Sequence, residues 1–296
     1  MKAKEIGLLV LIILVGVGFH YLQDLSLWID DWEIGFPLSG HPFLFEDQST
    51  LDPAEILEIN NSHGSIQIEG SNTEKFSLVL EKKVWEKSQE RAGKLAEEIK
   101  LITNRQGQQL ILTTNRQDFK KKNFATNFRL IVPETTRIKV KNSFGLVRIS
   151  KVKEVEVSNA HGQVEVFEIS GQIQVTNSFA PISATDIAGA CEVQTRHSSV
   201  TLSRIAGPVK LDCAHERVEL FDLKSSLNLS STHSPIQAAR ITGPSEITGS
   251  YERISVSESG PATIKAHHSP VEIDTLSGNL EIETSYEQIK LSRIDG

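Results

Sequence analysis

Apolar residues recur through the second half of the chain every 17 or 18 residues. With repeats beginning at Ile138, Val155, Ile173, Cys191, Val209, Leu227, Ser245, Ala262 and Leu280, nine copies align. Position 3 is Val, Leu or Ile in every copy, from Val140 to Ile282, and position 10 is Val or Ile from Val147 to Ile289. Position 12 runs Ile149, Val166, Ala184, Leu202, Leu220, Ala238, Val256, Ile273, Leu291, and position 15 is aliphatic everywhere except Ser259. Apolar positions two apart, mostly β-branched, describe short strands with one face turned inward. No copy is long enough to add a helix. One copy cannot bury its own apolar face, but stacked copies align like with like into a continuous core.

The pattern predicts an all-β parallel β-solenoid. At ~4.8 Å between stacked strands, nine coils make a rod roughly 40 Å long. Gly171, Gly189, Gly207, Gly243, Gly278 and Gly296 fall at position 17, with Gly260 one residue early. Glycine there is expected to supply the left-handed backbone of a tight corner. A further copy stands upstream as Leu57, Ile59, Asn61, His63, Gly64, Ile66, Ile68. Between it and the main run lie an alternating strand (Phe76, Leu78, Leu80) and an amphipathic helix with Ala92, Leu95, Ala96 and Ile99 on one face. Two more strands follow, around Leu110 and Leu112 and around Phe128, Leu130 and Val132, the last ended by Pro133. This α/β insertion is expected to cap the open edge of the first coil, whose unpaired backbone would otherwise recruit another chain. No cap follows the last repeat. That edge is expected either to serve assembly or to continue in a longer chain.

The N-terminus reads Lys2, Lys4, then a 17-residue run from Ile6 to Leu22, apolar apart from glycines and His20. That is the lower limit for crossing ~30 Å of hydrocarbon. A cleaved signal peptide would want a small-x-small site, and the run continues instead Phe19-His20-Tyr21-Leu22-Gln23-Asp24. An uncleaved signal anchor fits better, and Lys2 and Lys4 place the N-terminus in the cytoplasm. Trp28, Trp32 and Phe36 suit either the membrane interface or the first coil of the folded part. The expected organisation is therefore an anchor over 1–23, a juxtamembrane linker over 24–56, the first coil with its capping insertion over 57–137, and the solenoid over 138–296.

Position 7 carries a ladder of rings: His63, Phe144, His161, Phe179, His197, His215, His233, Tyr251, His268 and Tyr286, which takes six of the chain's nine histidines. His197, His215 and His233 are consecutive, and neutral imidazoles are good ligands for zinc, copper or nickel. Phenylalanine and tyrosine at the same register favour flat rings packing face to face instead. Protonation of adjacent imidazoles below about pH 6 would set like charges one rung apart. Asn61, Asn142, Asn159 and Asn177 at position 5 are expected to form an asparagine ladder bonded to turn backbone.

Composition narrows the chemistry. A formal charge of -7 speaks against nucleic acid. Two cysteines without CxxC remove disulfide scaffolds and thiolate zinc sites. Cys191 and Cys213 occupy positions 1 and 5 of adjacent copies, ~13 Å apart along the strand, too far for a disulfide. Serine and histidine neighbour one another in Arg196-His197-Ser198-Ser199 and Thr232-His233-Ser234 without an aspartate in register. Glu165, Asp186, Asp212, Glu219 and Asp274 scatter over several repeat positions rather than pairing as glycan-cleaving carboxylates do. Lys120-Lys121-Lys122 reads as a solvated turn. No cofactor is implied.

Asn142-Ser-Phe-Gly-x-Val-x-Ile149 and its variant Asn159-Ala-His-Gly-x-Val-x-Val166 resemble the repeat of a bacterial β-strand-repeat family, the "putative adhesin" domains of unknown function. Phe128 to Val140, a strand ending in Val-Pro, is similar to that family's entry into its solenoid. The resemblance covers 57–296 and implies the fold and an envelope setting; it carries no functional residues. Three functions remain open. The first is a membrane-anchored, non-enzymatic module that binds envelope polysaccharide or protein from the extracytoplasmic side. The second is a bactofilin-like scaffold polymerising through its C-terminal edge. The third is a metal- or pH-responsive sensor using the histidines.

Overall fold

A computed structural model describes residues 40–285 and 287–295. The expected anchor and its orientation, together with Trp28, Trp32, Phe36, Tyr286 and Gly296, lie outside the described residues. Among those described, no helix is long and apolar enough to cross a membrane.

The strands are β1 (His41–Leu51), β2 (Ile56–Asn60), β3 (Ile66–Ser71), β4 (Phe76–Glu86), β5 (Leu101–Gln106), β6 (Gln109–Thr114), β7 (Phe124–Pro133), β8 (Arg137–Lys141) and β9 (Val147–Ser150), with helix α1 (Gln89–Glu98) between β4 and β5. From Glu154 onward each repeat adds one strand to each of two sheets, ending with Leu280–Ser285 and Ile289–Asp295. One sheet has 12 strands and carries positions 1 to 5; the other has 13 and carries positions 10 to 15. Neighbouring copies pair in parallel and in exact repeat register, as in Val155 on Ile173 and Val164 on Ile182. Position 3 is buried from Val140 to Ile264, and so is position 12 from Ile149 to Ile273.

The second strand of each coil has a break that explains why position 15 rather than position 14 turns inward. Lys151, Glu168, Asp186, Arg204, Asp222, Arg240, Glu258, Thr275 and Arg293, all at position 14, have φ between 51° and 64°. One left-handed residue cancels the strict alternation of a strand. Val152, Ile169, Ile187, Ile205, Leu223, Ile241 and Leu276 then enter the core. The corner glycines act differently from expectation. Gly171, Gly189, Gly207, Gly243 and Gly260 do not have positive φ, although Gly278 does, at 101°. They are required by close approach: a Cβ on Gly189 or Gly207 would stand 2.5 or 2.3 Å from the backbone of the coil beneath.

The insertion extends both sheets before closing them. β6 pairs in parallel with β2 and β7 with β3, so Leu110, Leu112, Phe128 and Leu130 stack on Leu57, Ile59, Ile66 and Ile68. β4 then runs antiparallel to β7, and β5 antiparallel to β6. Helix α1 starts at Ser88, whose side chain accepts from the Arg91 backbone N–H, and it buries Ala92, Leu95 and Ala96. These pack with Val84, Ile99, Phe124 and, from β1, Phe43 and Phe45 in a small second core. The expected linker needs correction here: residues 41–51 form β1, an eleven-residue strand paired along its whole length with β4. Buried Lys82 ties this layer together, its ammonium on Asp47 of β1 and donating to the Ala96 carbonyl of α1 at 2.8 Å. At the far edge, Ile289, Leu291 and Ile294 are exposed.

Candidate functional site

Three longitudinal rows distinguish the surface of the solenoid. The first is the ring ladder. His63, Phe144, His161, Phe179, His197, His215, His233, Tyr251 and His268 stack in unbroken order, with ring centroids 4.5–5.7 Å apart and planes within 26° of parallel. All nine are exposed, presenting edges outward and faces to one another. The corner beneath them changes along the rod. In the early coils Gly64 and Gly145 take the left-handed conformation one residue after the ring; later His215, His233, Tyr251 and His268 take it themselves, with φ of 52–75°.

Asn142, Asn159 and Asn177 brace the early corners. Each Nδ2 donates to position-8 carbonyls of its own coil and of the one beneath, as Asn159 does to Gly162 at 2.7 Å and Gly145 at 3.3 Å. These amides bond to backbone rather than to one another, so the expected row of asparagines is a row of backbone clamps. Where Cys213, Ser231 and Gly249 replace asparagine, the clamp is lost and the left-handed residue moves onto the ring.

The stack has consequences for His197, His215 and His233. Their centroids are 4.7 and 5.5 Å apart with planes 9° and 6° from parallel. Ring nitrogens lie in the ring plane, so in parallel rings their lone pairs run side by side, whereas a shared ion needs them to converge at ~2.0–2.1 Å. Among the described residues, no group of three or more His, Cys, Asp or Glu is placed to hold a metal ion. Cys191 and Cys213 are free and buried, and burial pushes their thiols up to about 12 and about 11.

The second row is the left-handed position 14, where charge alternates from Asp186 through Arg204, Asp222 and Arg240 to Glu258. Arg204 forks onto Asp186 at 2.6 and 2.7 Å, and Arg240 onto Asp222 at 2.6 and 3.1 Å. Hydrogen bonding from these guanidiniums holds both carboxyls below the usual aspartate range. Asp274, one position earlier in its coil, is lowered in the same sense by Ser292 first and Arg293 second. Acids that look scattered in the sequence are thus partly gathered: Asp186 joins this row, whereas Glu165, Glu219, Asp212 and Asp274 stay on other rows. The signal was present as a column of polar residues between two inward-facing columns, legible only once the left-handed residue is known.

The third row is position 13 of the same sheet. Phe167, Thr185, Ser203 and Phe221 are direct neighbours on successive strands, with the Thr185 and Ser203 hydroxyls 2.9 Å apart. Position 11 flanks it with Glu165, Ser183, Thr201 and Glu219, all half-buried. The 12-stranded sheet also carries cross-strand ionic contacts on its outward positions, such as Lys139–Glu156 at 2.7 Å and Lys210–Glu192 at 2.9 Å.

No family model and no curated protein matches the chain. Solved structures similar to it include a "putative cell adhesion protein" from Clostridium sporogenes (12% identity, TM-score 0.33, 83% of this chain and 100% of that one). Others are a "putative adhesin" from Bacteroides fragilis (14%, 0.31, 84% and 97%) and a "putative lipid binding protein" from Parabacteroides distasonis (12%, 0.36, 85% and 98%). At these identities and scores the likeness carries no argument about what this chain binds.

Proposed function

We infer that the chain is a non-enzymatic binding module of the cell envelope, carried on the extracytoplasmic side of the membrane by the Ile6–Leu22 run. One observation carries the reading. From Arg137 to Asp295 the repeats stack without a loop insertion, so each outward position becomes a row repeated at the strand spacing of ~4.8 Å. Such a surface engages a partner by repetition along an extended face, as solenoids do, rather than through one enclosed pocket. Location and anchoring rest on Lys2, Lys4 and the apolar run that follows them.

The test uses the full-length chain in mild detergent. Sedimentation velocity across a wide concentration range, followed by co-sedimentation with purified envelope fractions, is expected to give one discrete species that is retained by envelope material. Concentration-dependent growth into longer species would favour a scaffold instead. A discrete species indifferent to every envelope fraction would overturn the binding reading.

A further inference from the structure

We propose that the trough between Phe167 and Phe221 on the 13-stranded sheet binds a neutral glycan lying along the solenoid axis. This rests on the binding-module reading and names the ligand class and the site. The register defines the trough: Phe167 and Phe221 stand three rungs apart, ~14 Å at the parallel strand spacing, with the half-buried hydroxyls of Thr185 and Ser203 forming the floor between them. Ser183 and Thr201 make one wall, and the Asp186–Arg204 fork makes the other. At the Phe167 end, Phe167, Ser183, Thr185 and the Asp186–Arg204 fork, with Gln163 and Glu165, line an open depression of about 380 Å³, within the ~300–1,000 Å³ of small-ligand sites.

The chemistry selects the occupant. The Phe167 ring at one end offers an apolar face to the C–H face of a sugar ring, whereas the Phe221 ring at the other end already has the Arg240 guanidinium over one face, 5.9 Å from its centroid. Hydroxyls at every intervening rung, with a carboxylate and a guanidinium held rigid by each other, offer donors and acceptors for sugar hydroxyls. The charges are already satisfied: Asp186 by Arg204, Glu165 by Arg148 at 2.5 Å and Gln163 at 2.8 Å, and Glu219 by Arg217 at 3.2 Å. Each of these three carboxylates is matched by an arginine, so the trough offers no net charge to either a polyanion or a polycation. A protein partner would want a contiguous apolar centre, whereas this floor is hydroxyl-lined. The ring ladder suits sugar poorly because its faces are used up against one another.

The experiment presents the full-length chain to immobilised neutral oligosaccharides built from hexose and N-acetylhexosamine units, with uronic-acid oligosaccharides alongside. Thr185→Arg and Ser203→Trp fill the trough, Phe167→Ala removes one end, and Gln174→Arg on the opposite sheet is the control. The expected result is binding to at least one neutral oligosaccharide, weakened at least tenfold by the two filling variants and by Phe167→Ala. The control should be unaffected, and circular dichroism should show the same fold throughout. Unchanged affinity in any folded filling variant, preference for the acidic series, or no glycan binding at all would each overturn the proposal. Envelope fractions run in parallel separate the two readings: retention there without glycan binding fells the glycan and leaves the binding module, whereas loss of both fells both.

Discussion

Ser259 interrupts an otherwise aliphatic column. It sits at position 15 between Ile241 and Leu276, is 4% exposed, and its hydroxyl finds no hydrogen-bond partner among the described residues. Leaving a buried hydroxyl unpaired costs about 1–3 kcal/mol. Ser259→Ala removes that cost without adding bulk and is expected to stabilise by ~1 kcal/mol. Ser259→Val adds apolar burial, for which a whole side chain is worth about 1.5–3 kcal/mol. Valine is no larger than the Ile or Leu found at this position on either side, which limits the overpacking that otherwise costs about 1–3 kcal/mol. The net expectation is a gain of ~1.5 kcal/mol, or about 3–6 °C in melting temperature. Thermal and urea unfolding on the same preparations are both needed, since a solenoid can depart from two-state behaviour. An alanine variant that melts below the wild type would mean that the hydroxyl is paired in solution. A valine variant that melts below alanine would mean that the column has no room there.

Four further outcomes follow from particular residues. Thr275 is a β-branched residue held at φ 64°, a conformation costing L-residues roughly 1–2 kcal/mol and tolerated best by Asn and Gly; Thr275→Asn should raise the urea midpoint, and a lowered midpoint would refute strain at this position. A Cβ on Gly162 would stand 1.9 Å from the Gly145 carbonyl oxygen, so Gly162→Ala should cost about 1–3 kcal/mol through backbone displacement, and an unchanged melting temperature would deny the close approach. Desolvation, reinforced by the Arg116 guanidinium, holds the His63 imidazole below its ordinary value; the unfolded chain therefore takes the proton first, and stability present above ~6.5 is lost as the pH falls below it. His63→Phe should narrow the gap between melting temperatures at about pH 7.5 and about pH 5.5, and an undiminished gap would sink this assignment. With thiols pushed up by burial, Cys191 and Cys213 should resist a disulfide reagent at about pH 8 in the folded chain and both react in urea; rapid labelling of the folded chain would contradict their burial.

Stacking was readable from the sequence because it depends on one rule, that inward positions repeat with the coil. Columns 3, 10 and 12 needed nothing more, and neither did the alignment of the rings at position 7. Features set by contacts between coils were harder to read. The column from Lys151 to Arg293 is polar in every repeat, yet no residue type in it favours left-handed backbone strongly, so its conformation could not be foreseen. The corner glycines were read as supplying positive φ when most of them serve close packing, because both demands select the same residue. β1 was missed because its Pro42, Glu46, Asp47 and Ser49 obscure the alternation, while its partner β4 supplies the ladder. The trough escaped notice for a different reason: Phe167 and Phe221, 54 residues apart in the chain, share position 13 of the repeat, but that column also holds Ser150, Thr185, Ser203, Ala239, Ser257, Asp274 and Ser292 and is too mixed to mark a row.

That break recurs in every coil, so its cost must be met in every coil. A left-handed L-residue costs roughly 1–2 kcal/mol, while burying a Val, Leu or Ile at position 15 returns about 1.5–3 kcal/mol. The exchange is close to balanced, with a small surplus wherever position 15 is aliphatic. In the coil of Ser259 the surplus vanishes, since Glu258 bears the strain at φ 51° and the residue that should repay it is polar. The break also turns position 14 outward beside position 13, so that neighbouring Asp and Arg residues meet as forks along the edge of the trough. Strain, core and recessed surface are therefore one device. If so, Glu258→Gly should stabilise more than Asp222→Gly, since the glycine relieves the same strain in both coils but breaks the Asp222–Arg240 fork in only one. Equal effects would show that the fork adds nothing to the edge it lines.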